Sequence, residues 1–147
     1  MRLTAYISGA LLNAADLAES RARYERFAEA CRSGGWDAYV PHQHADPERD
    51  AHLSNIDVAR RDLDAVAAAD VLIAYVGEPS LGVGAEVAIA LAANKPVLLL
   101  AEEGRKVSRF LLGLVEIDAG PARLCRYRTI ADACEWIDTE LRAIQRP

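Results

Sequence analysis

A single acidic side chain follows two glycines near the middle of the chain, and this arrangement could hold an anion beside a nucleophile. The apolar run at residues 71–76 is typical of a strand buried on both faces, and Glu78-Pro79-Ser80 ends it. Gly82 and Gly84 allow a ligand to approach the backbone, and the helix after them offers free N–H groups. Glu86 lies in the first turn of that helix among apolar residues. The segment indicates a ligand site, but a plain strand-to-helix corner with a surface glutamate has the same pattern.

A second acid could complete a pair of carboxylates with Glu86. The run Arg60-Arg61-Asp62-Leu63-Asp64 lies on the predicted helix just before that strand. We expect Leu63 to face the core, so that Asp62 or Asp64 flanks it and can reach the same pocket as Glu86. Two carboxylates beside a glycosidic carbon can act as nucleophile and proton donor. Burial would raise one pKa, while the helix N-terminus would help to keep the other acid ionised.

Other chemistries fit this sequence less well. The dinucleotide-binding fingerprint is broken, because Val87 occupies its third small position and Gly82 follows the strand by six residues. The sequence has neither a Gly-Lys-Ser/Thr phosphate loop nor a Gly-x-Ser-x-Gly elbow. His42 and His44 are spaced i, i+2 without a third ligand, so we expect no metal site, and one of them could lie near a substrate. We also expect no cofactor.

Length and composition predict one domain over residues 1–147. The net charge of −5 argues against a broad nucleic-acid-binding surface, but a local loop could still bind a small phosphorylated substrate. Cys31, Cys125 and Cys134 form neither a disulfide framework nor a zinc pattern, which favours a cytoplasmic location. The N-terminal apolar run is broken by polar residues and predicts a strand instead of a signal peptide. No segment is long enough to span a membrane.

Five apolar segments alternate with helical patterns, which predicts an α/β fold with a parallel sheet covered on both faces. The predicted strands are residues 3–8, 36–40, 71–76, 97–101 and 124–127, and the predicted helices are residues 20–33, 54 or 55 to 69, 83–93, 107–114 and 129–145. Ile56, Ala59, Leu63 and Val66 mark the expected buried face of the second helix, and the third should be buried almost all round. Right-handed crossovers favour a doubly wound, Rossmann- or flavodoxin-like five-stranded sheet of order 2-1-3-4-5.

In such a sheet, ligands bind at the carboxyl ends of the strands, near the switch point between strands one and three. Three segments should therefore meet there: Tyr6-Ile7-Ser8-Gly9 after strand one, Val40-Pro41-His42 after strand two, and residues 80–86 after strand three. These segments contain the candidate substrate-binding residues Ser8, Gly9, His42, Ser80, Gly82 and Gly84.

The motifs around the two acids resemble those of the nucleoside 2-deoxyribosyltransferase superfamily. The resemblance is carried by Arg61-Asp62-Leu63, Ala69-Asp70-Val71 and Pro79-Ser80-Leu81-Gly82-Val83-Gly84-Ala85-Glu86, with Tyr6-x-x-Gly9 and Lys106-Val107-Ser108 in agreement. The Pro-Ser-Leu-Gly-Val-Gly-x-Glu form is most similar to 2'-deoxynucleoside 5'-monophosphate N-glycosidases. The match covers roughly residues 3–114, and the rest fits only as a strand and a helix.

The resemblance implies a covalent mechanism for cleavage of an N-glycosidic bond. Glu86 would attack the anomeric carbon and form a glycosyl-enzyme, and Tyr6 would hydrogen-bond Glu86 and orient it. Asp62 would hold the sugar or move the proton to the leaving base. Water would then release the sugar in a hydrolase, whereas a second base would do so in a transferase.

The same resemblance implies how the substrate is held. Ser80, Gly82 and the adjoining N–H groups would bind a 5'-phosphate at the helix N-terminus, and His42 would lie near the stacked base. Ser108 would reach the phosphate in a neighbouring subunit's site, which implies a homodimer or a larger homo-oligomer. The partner molecules are then a nucleotide or nucleoside and a second copy of the chain, with no nucleic-acid polymer and no membrane.

One position departs from the pattern of the nucleotide hydrolases. These carry an arginine three residues after the first-strand glycine, where this chain has Leu12. Loss of a charge-assisted phosphate contact would weaken binding by about 1.5–3 kcal/mol. The transferase therefore stays an alternative, although no amide-containing segment follows strand four as in the transferases. A non-catalytic nucleotide-sensing module is a third alternative, but binding alone needs neither Glu86 nor Asp62.

Overall fold

The computed structural model describes residues 1–12, 14–117 and 121–146, in which strands and helices alternate along the chain. The strands are β1 (Thr4–Ser8), β2 (Asp37–Tyr39), β3 (Val71–Tyr75), β4 (Val97–Glu102) and β5 (Ala122–Tyr127). The α-helices are α1 (Leu17–Ser33), α2 (Asn55–Ala68), α3 (Leu81–Ala92), α4 (Arg109–Glu116) and α5 (Ile130–Gln145), and a 3-10 turn spans Pro41–Gln43. Within these residues, no helix combines the length and apolar character needed to cross a bilayer.

All strand pairs of the sheet are parallel, and the strand order is β2-β1-β3-β4-β5. This confirms the predicted α/β class and order. The central strand β3 is buried along its whole length because helices cover both faces of the sheet. Core residues of α1 and α5, such as Phe27 and Ile137, pack on one face. Residues of α2 and α3, such as Val66 and Val87, pack on the other face.

Polar side chains cap the starts of α1 and α2, and α1 begins earlier than predicted. Asp16 accepts a hydrogen bond from the Glu19 N–H at 3.0 Å, so α1 begins about one turn before the predicted residue 20. The connection from β1 to α1 therefore ends at Asp16, and residue 13 within it lies outside the described residues. Ser54 caps α2 through a capping box with Asp57, as expected from the sequence.

The predicted buried face of α2 is wrong except at Val66. Ile56 is 61% exposed and Leu63 is 49% exposed, and Ala59 is also exposed. The helix instead turns Asp62 toward the carboxyl edge of the sheet, where Asp62 is half-buried. A polar residue takes an inward position here, so the apolar residues beside it remain on the surface.

Helix α3 is also less buried than its apolar composition predicts. Val83, Val87 and Ala90 are buried, but Leu81 and Ile89 are exposed. Phe110 on α4 is exposed as well. Apolar surface of this kind is often covered by a partner. The predicted homo-oligomer is compatible with it and stays a prediction.

Candidate active site

The carboxylate of Glu86 is held by two hydroxyl groups from β1. Tyr6 Oη donates to Oε1 at 2.7 Å, and the Ser8 hydroxyl donates to Oε2. Residues 6 and 8 project from the same face of the strand because side chains alternate along it. That face is the one covered by α2 and α3. The predicted contact between Tyr6 and Glu86 is therefore present, and Ser8, a candidate substrate-binding residue, contacts Glu86 as well.

Glu86 is partly buried, and its surroundings determine both its pKa and the orientation of its carboxylate. Burial raises the pKa of Glu86, hydrogen bonds from Ser8 and Tyr6 oppose this shift, and the charge of Asp62 adds to it. Burial also raises the pKa of Tyr6, and the Glu86 charge raises it further, so Tyr6 stays protonated and remains a donor. The site therefore orients the Glu86 carboxylate through donors that do not themselves ionise.

Asp62 is the second acid of the pair. Burial raises the pKa of Asp62, while the Tyr6 hydroxyl and His44 oppose the shift. Among the described residues, its Oδ1 atom is buried without a hydrogen-bond partner. A carboxyl group with a raised pKa and a free oxygen is suited to exchange a proton with a ligand. Asp64 is exposed, so the structure selects Asp62 from the two candidates.

Helix α3 begins at Leu81, two residues before the predicted start, so Gly82 and Gly84 lie inside the helix and Glu86 lies in its second turn. Ser80 is the N-cap residue, and its Oγ accepts a hydrogen bond from the Val83 N–H at 3.3 Å. The Ser80 hydroxyl proton and the first N–H groups of the helix remain available to an anion. A Cβ atom at Gly84 would meet nothing within 4 Å, so packing does not require glycine at this position.

A cavity of about 660 Å³ lies between α3 and α4. Its lining includes Ser80, Gly84, Lys106 and Ser108 together with apolar side chains such as Phe110. Ser108 thus lies beside the same cavity as Ser80 of its own chain, and its predicted reach into a neighbouring subunit stays a prediction. Glu86 and Asp62 are not among the lining residues, so the cavity adjoins the carboxylate pair without containing it.

Gly9 and His42 are both packed closely against neighbouring side chains. A Cβ atom at Gly9 would overlap the ring of Tyr24, so close packing already explains this glycine. His42 is only 1% exposed, and its Nε2 lies 2.9 Å from Glu25 Oε1. A ring buried in this way offers no open face to a base, and this placement does not support the role that the resemblance implied for His42.

Two aromatic residues, Tyr39 and His44, extend the site. Tyr39 pairs in register with Tyr6 across the parallel strands, and their rings stack with centroids 5.5 Å apart at an interplanar angle of 14°. The His44 ring stacks on Tyr39 at 4.4 Å and 8°. Register alone could have placed Tyr39 beside Tyr6, but only the folded loop reveals the position of His44.

Contacts with α1 and α2 fix the loop that carries His44. Arg21 donates to both carboxylate oxygens of Asp46, at 2.7 and 2.6 Å, and this contact holds the pKa of Asp46 well below its usual range. Arg61 Nη1 donates to the carbonyl oxygen of His44 at 2.6 Å. His44 is therefore held on a tethered loop at the edge of the carboxylate pair.

The family model described as nucleoside 2-deoxyribosyltransferase matches residues 5–134. Proteins of Thermofilum pendens and Trichoplax adhaerens, both named "Putative 2'-deoxynucleoside 5'-phosphate N-hydrolase 1", are each 39% identical to this chain, over 87 and 74 residues. These alignments span 58% and 49% of this chain, but only 59% and 51% of the two relatives.

A solved structure, the CMP N-glycosidase BcmB of Clostridium botulinum, superposes with a TM-score of 0.70 at 21% identity. The superposition covers 93% of this chain and 98% of that one, which shows that the two share a fold. The family match covers most of the chain and includes β1, the acid of α2 and the N-terminal turn of α3. This chain belongs to the nucleoside 2-deoxyribosyltransferase family.

Proposed function

We propose that this protein hydrolyses the N-glycosidic bond of 2'-deoxynucleoside 5'-monophosphates and releases the free base and the sugar phosphate. The observation that carries the proposal is the hydrogen-bonded Glu86 carboxylate with a second, half-buried acid, Asp62, beside it. The names of the two curated relatives support a nucleotide substrate and a hydrolytic reaction.

In the first step, a Glu86 oxygen forms a bond to C1' of the sugar as the bond between C1' and the base nitrogen breaks. The electron pair of the broken bond goes to the base, and Asp62 supplies the proton that neutralises it. In the second step, a water oxygen attacks C1', the Glu86 carboxylate leaves, and the ionised Asp62 accepts the water proton. Both acids return to their starting states.

The hydroxyl groups of Tyr6 and Ser8 serve both steps. Each carboxylate oxygen has two lone pairs, so an oxygen that accepts one hydrogen bond can still attack C1'. When Glu86 leaves in the second step, its developing charge is met by donors already in place. Tyr6 and Ser8 therefore act on Glu86, and Asp62 acts on the base.

The 5'-phosphate would bind at the first turn of α3. The Ser80 hydroxyl and the N–H groups of Leu81 and Gly82 are available there, and Gly84 leaves open space beside them. Leu12 is 75% exposed and supplies no charge. Lys106 lines the same cavity as Ser80 and Ser108, so it can contribute the positive charge that Leu12 lacks.

The uncharged Leu12 favours a second candidate, exchange of bases on deoxynucleosides. In that reaction a second base replaces water in the second step, and no phosphate contact is needed. A ribonucleotide substrate is the other variant to test, because BcmB, which shares the fold, is a CMP N-glycosidase.

One assay separates these functions. The protein is incubated with deoxynucleosides, deoxynucleoside monophosphates and ribonucleoside monophosphates, with and without an acceptor base, and free base is followed by chromatography. We expect base release from deoxynucleoside monophosphates alone. Base exchange on nucleosides would replace the hydrolase by the transferase. Nucleotide binding without any base release would contradict both and favour a sensing module.

Replacement of Gly84 by Ala should stabilise the protein and weaken its activity. Alanine in place of glycine inside a helix stabilises it by about 0.5–1 kcal/mol, and the new Cβ atom meets no neighbour. The same methyl group would project into the space proposed for the phosphate. We therefore expect KM for monophosphates to rise about tenfold, which corresponds to the loss of roughly one charge-assisted hydrogen bond. Thermal unfolding and initial rates measure both effects.

Gly113→Ala is the matched control for this substitution. Gly113 lies inside α4, and a Cβ atom there also meets nothing within 4 Å. This variant should gain similar stability with an unchanged KM. A Gly84→Ala protein with unchanged KM would place the phosphate elsewhere.

A further inference from the structure

We propose that His44 contacts the leaving base and donates a hydrogen bond to it as the glycosidic bond breaks. The inference rests on the proposed function and adds a residue that determines how the base is recognised. It follows from a continuous column of side chains that leads from Glu86 to the surface through Tyr6, Tyr39 and His44.

The column begins at the nucleophile. Tyr6 donates to Glu86 at 2.7 Å, and the ring of Tyr6 stacks on Tyr39. Tyr39 is partly buried, whereas His44 covers the outer side of Tyr39 and is exposed. The last ring of the column is therefore the one that an incoming substrate can reach.

His44 also lies on the side of the site where the base should be. Arg61, which precedes Asp62 on α2, donates to the His44 carbonyl oxygen at 2.6 Å, so the His44 loop lies beside the turn of α2 that carries Asp62. The 5'-phosphate is expected at the N-terminus of α3. A nucleotide bound there with its C1' at Glu86 therefore directs its base toward Asp62 and His44. The nitrogen and carbonyl acceptors of purines and pyrimidines match an imidazole N–H donor.

The backbone around His44 is held in place before any ligand binds. The His44 N–H donates to the Pro41 carbonyl oxygen at 2.9 Å, and Arg61 donates to the His44 carbonyl oxygen. Two residues later, Asp46 is fully buried in its pair with Arg21. A donor placed in this way loses little conformational freedom when the base arrives.

Three variants separate hydrogen bonding from stacking. His44→Phe keeps a ring on Tyr39 but removes the donor, His44→Ala removes both, and His52→Ala changes an exposed histidine in the same chain segment as a control. Each is assayed on an ordinary deoxynucleoside monophosphate and on one whose purine is methylated at N7. The methylated base is cationic before the bond breaks and leaves neutral, so it needs neither proton nor donor.

We expect His44→Phe and His44→Ala to lower kcat on the ordinary substrate about 10- to 100-fold, as for loss of one hydrogen bond to a charged group. Rates on the N7-methylated substrate should change less than threefold, and His52→Ala should match wild type. Full activity of His44→Phe, or an equal loss on both substrates, would overturn the inference and leave His44 a structural residue.

A binding measurement tests His44 separately from the reaction. Calorimetric titration compares a deoxynucleoside monophosphate with 2-deoxyribose 5-phosphate, which lacks the base. His44→Ala should weaken binding of the nucleotide about tenfold and leave the sugar phosphate unaffected. If wild type binds the nucleotide but releases no base, the proposed reaction fails while this comparison still decides the role of His44. Unchanged nucleotide affinity in His44→Ala would contradict base contact.

Discussion

Substitution of Glu86 by Gln is expected to lower the rate of base release about 10⁴-fold or more, the scale at which loss of an activated nucleophile is felt. The neutral amide has no carboxylate oxygen to bond to C1'. Glutamine has nearly the same shape, so Tyr6 can still donate to its carbonyl oxygen and the fold should be retained. Chromatography of the released base measures the effect.

The Glu86→Gln variant should be less active than wild type but more stable. Burial raises the pKa of Glu86 in the folded protein. The folded protein therefore binds the carboxyl proton more tightly than the unfolded chain does. The ionised carboxylate therefore destabilises the fold at pH values above its folded pKa. We expect Glu86→Gln to have a higher Tm than wild type at pH 7, and the difference should narrow as the pH falls toward the ordinary glutamate range.

The matched control is Glu135→Gln, because Glu135 is exposed on α5, which covers the other face of the sheet. It should retain full activity.

A slow substrate with fluorine at C2' should leave a glycosyl ester on Glu86 of the wild-type protein. Mass spectrometry of the digested protein can locate this ester. Substantial base release by Glu86→Gln, or an adduct on another residue, would contradict the covalent mechanism.

Much of the fold could be predicted because its signals are local. The runs at residues 71–76 and 97–101 are continuously apolar, as strands buried on both faces must be. Right-handed crossovers between such strands leave few orders of the sheet. Once the order is known, Tyr6, Ser8 and Glu86 are expected at one edge of the sheet, and strand alternation places Tyr6 and Ser8 on the same face of β1.

The face of α2 could not be predicted by the same reasoning. Helical periodicity assumes that apolar residues point inward, which places Leu63 in the core. In the structure Asp62 takes the inward position, and Leu63 is half exposed. Functional sites are where such local rules are expected to fail, because a reactive carboxyl group must be held away from water at a cost in stability.

The two histidines show a different limit of sequence reasoning. Their spacing does not distinguish which one faces the site, since both lie in a segment with no periodic pattern. The choice depends on the pair between Arg21 and Asp46, which are 25 residues apart, and on the contact of His42 with Glu25. Long-range contacts of this kind leave no local signal.

Substitution of Asp62 by Asn should lower kcat on ordinary deoxynucleoside monophosphates about 10²- to 10⁴-fold, the usual range for loss of a general acid. Asparagine keeps the shape of the side chain but has no acidic proton to give to the base. A monophosphate with an N7-methylated purine needs no such proton, so its first step should be nearly unaffected. Single-turnover measurements with both substrates isolate that step.

The control is Asp64→Asn, which removes the same charge from an exposed position two residues along α2 and should retain wild-type rates. Equal losses in both variants, or an equal loss by Asp62→Asn on both substrates, would contradict proton donation by Asp62. Asp62 would then only hold the sugar. That role predicts a rise in KM for Asp62→Asn, with little change in the ratio of its rates on the ordinary and the N7-methylated substrates.

The pH dependence gives an independent test of the same role. Burial raises the pKa of Asp62, and the wild-type rate should fall as the pH rises through that value because the proton donor is lost. Asp62→Asn should lack this limb of the profile.

The raised pKa also means that ionised Asp62 destabilises the fold at neutral pH. Asp62→Asn should therefore unfold at a higher temperature than wild type at pH 7. That difference should close below about pH 3.9, the ordinary aspartate value, where Asp62 is protonated in both the folded and the unfolded chain.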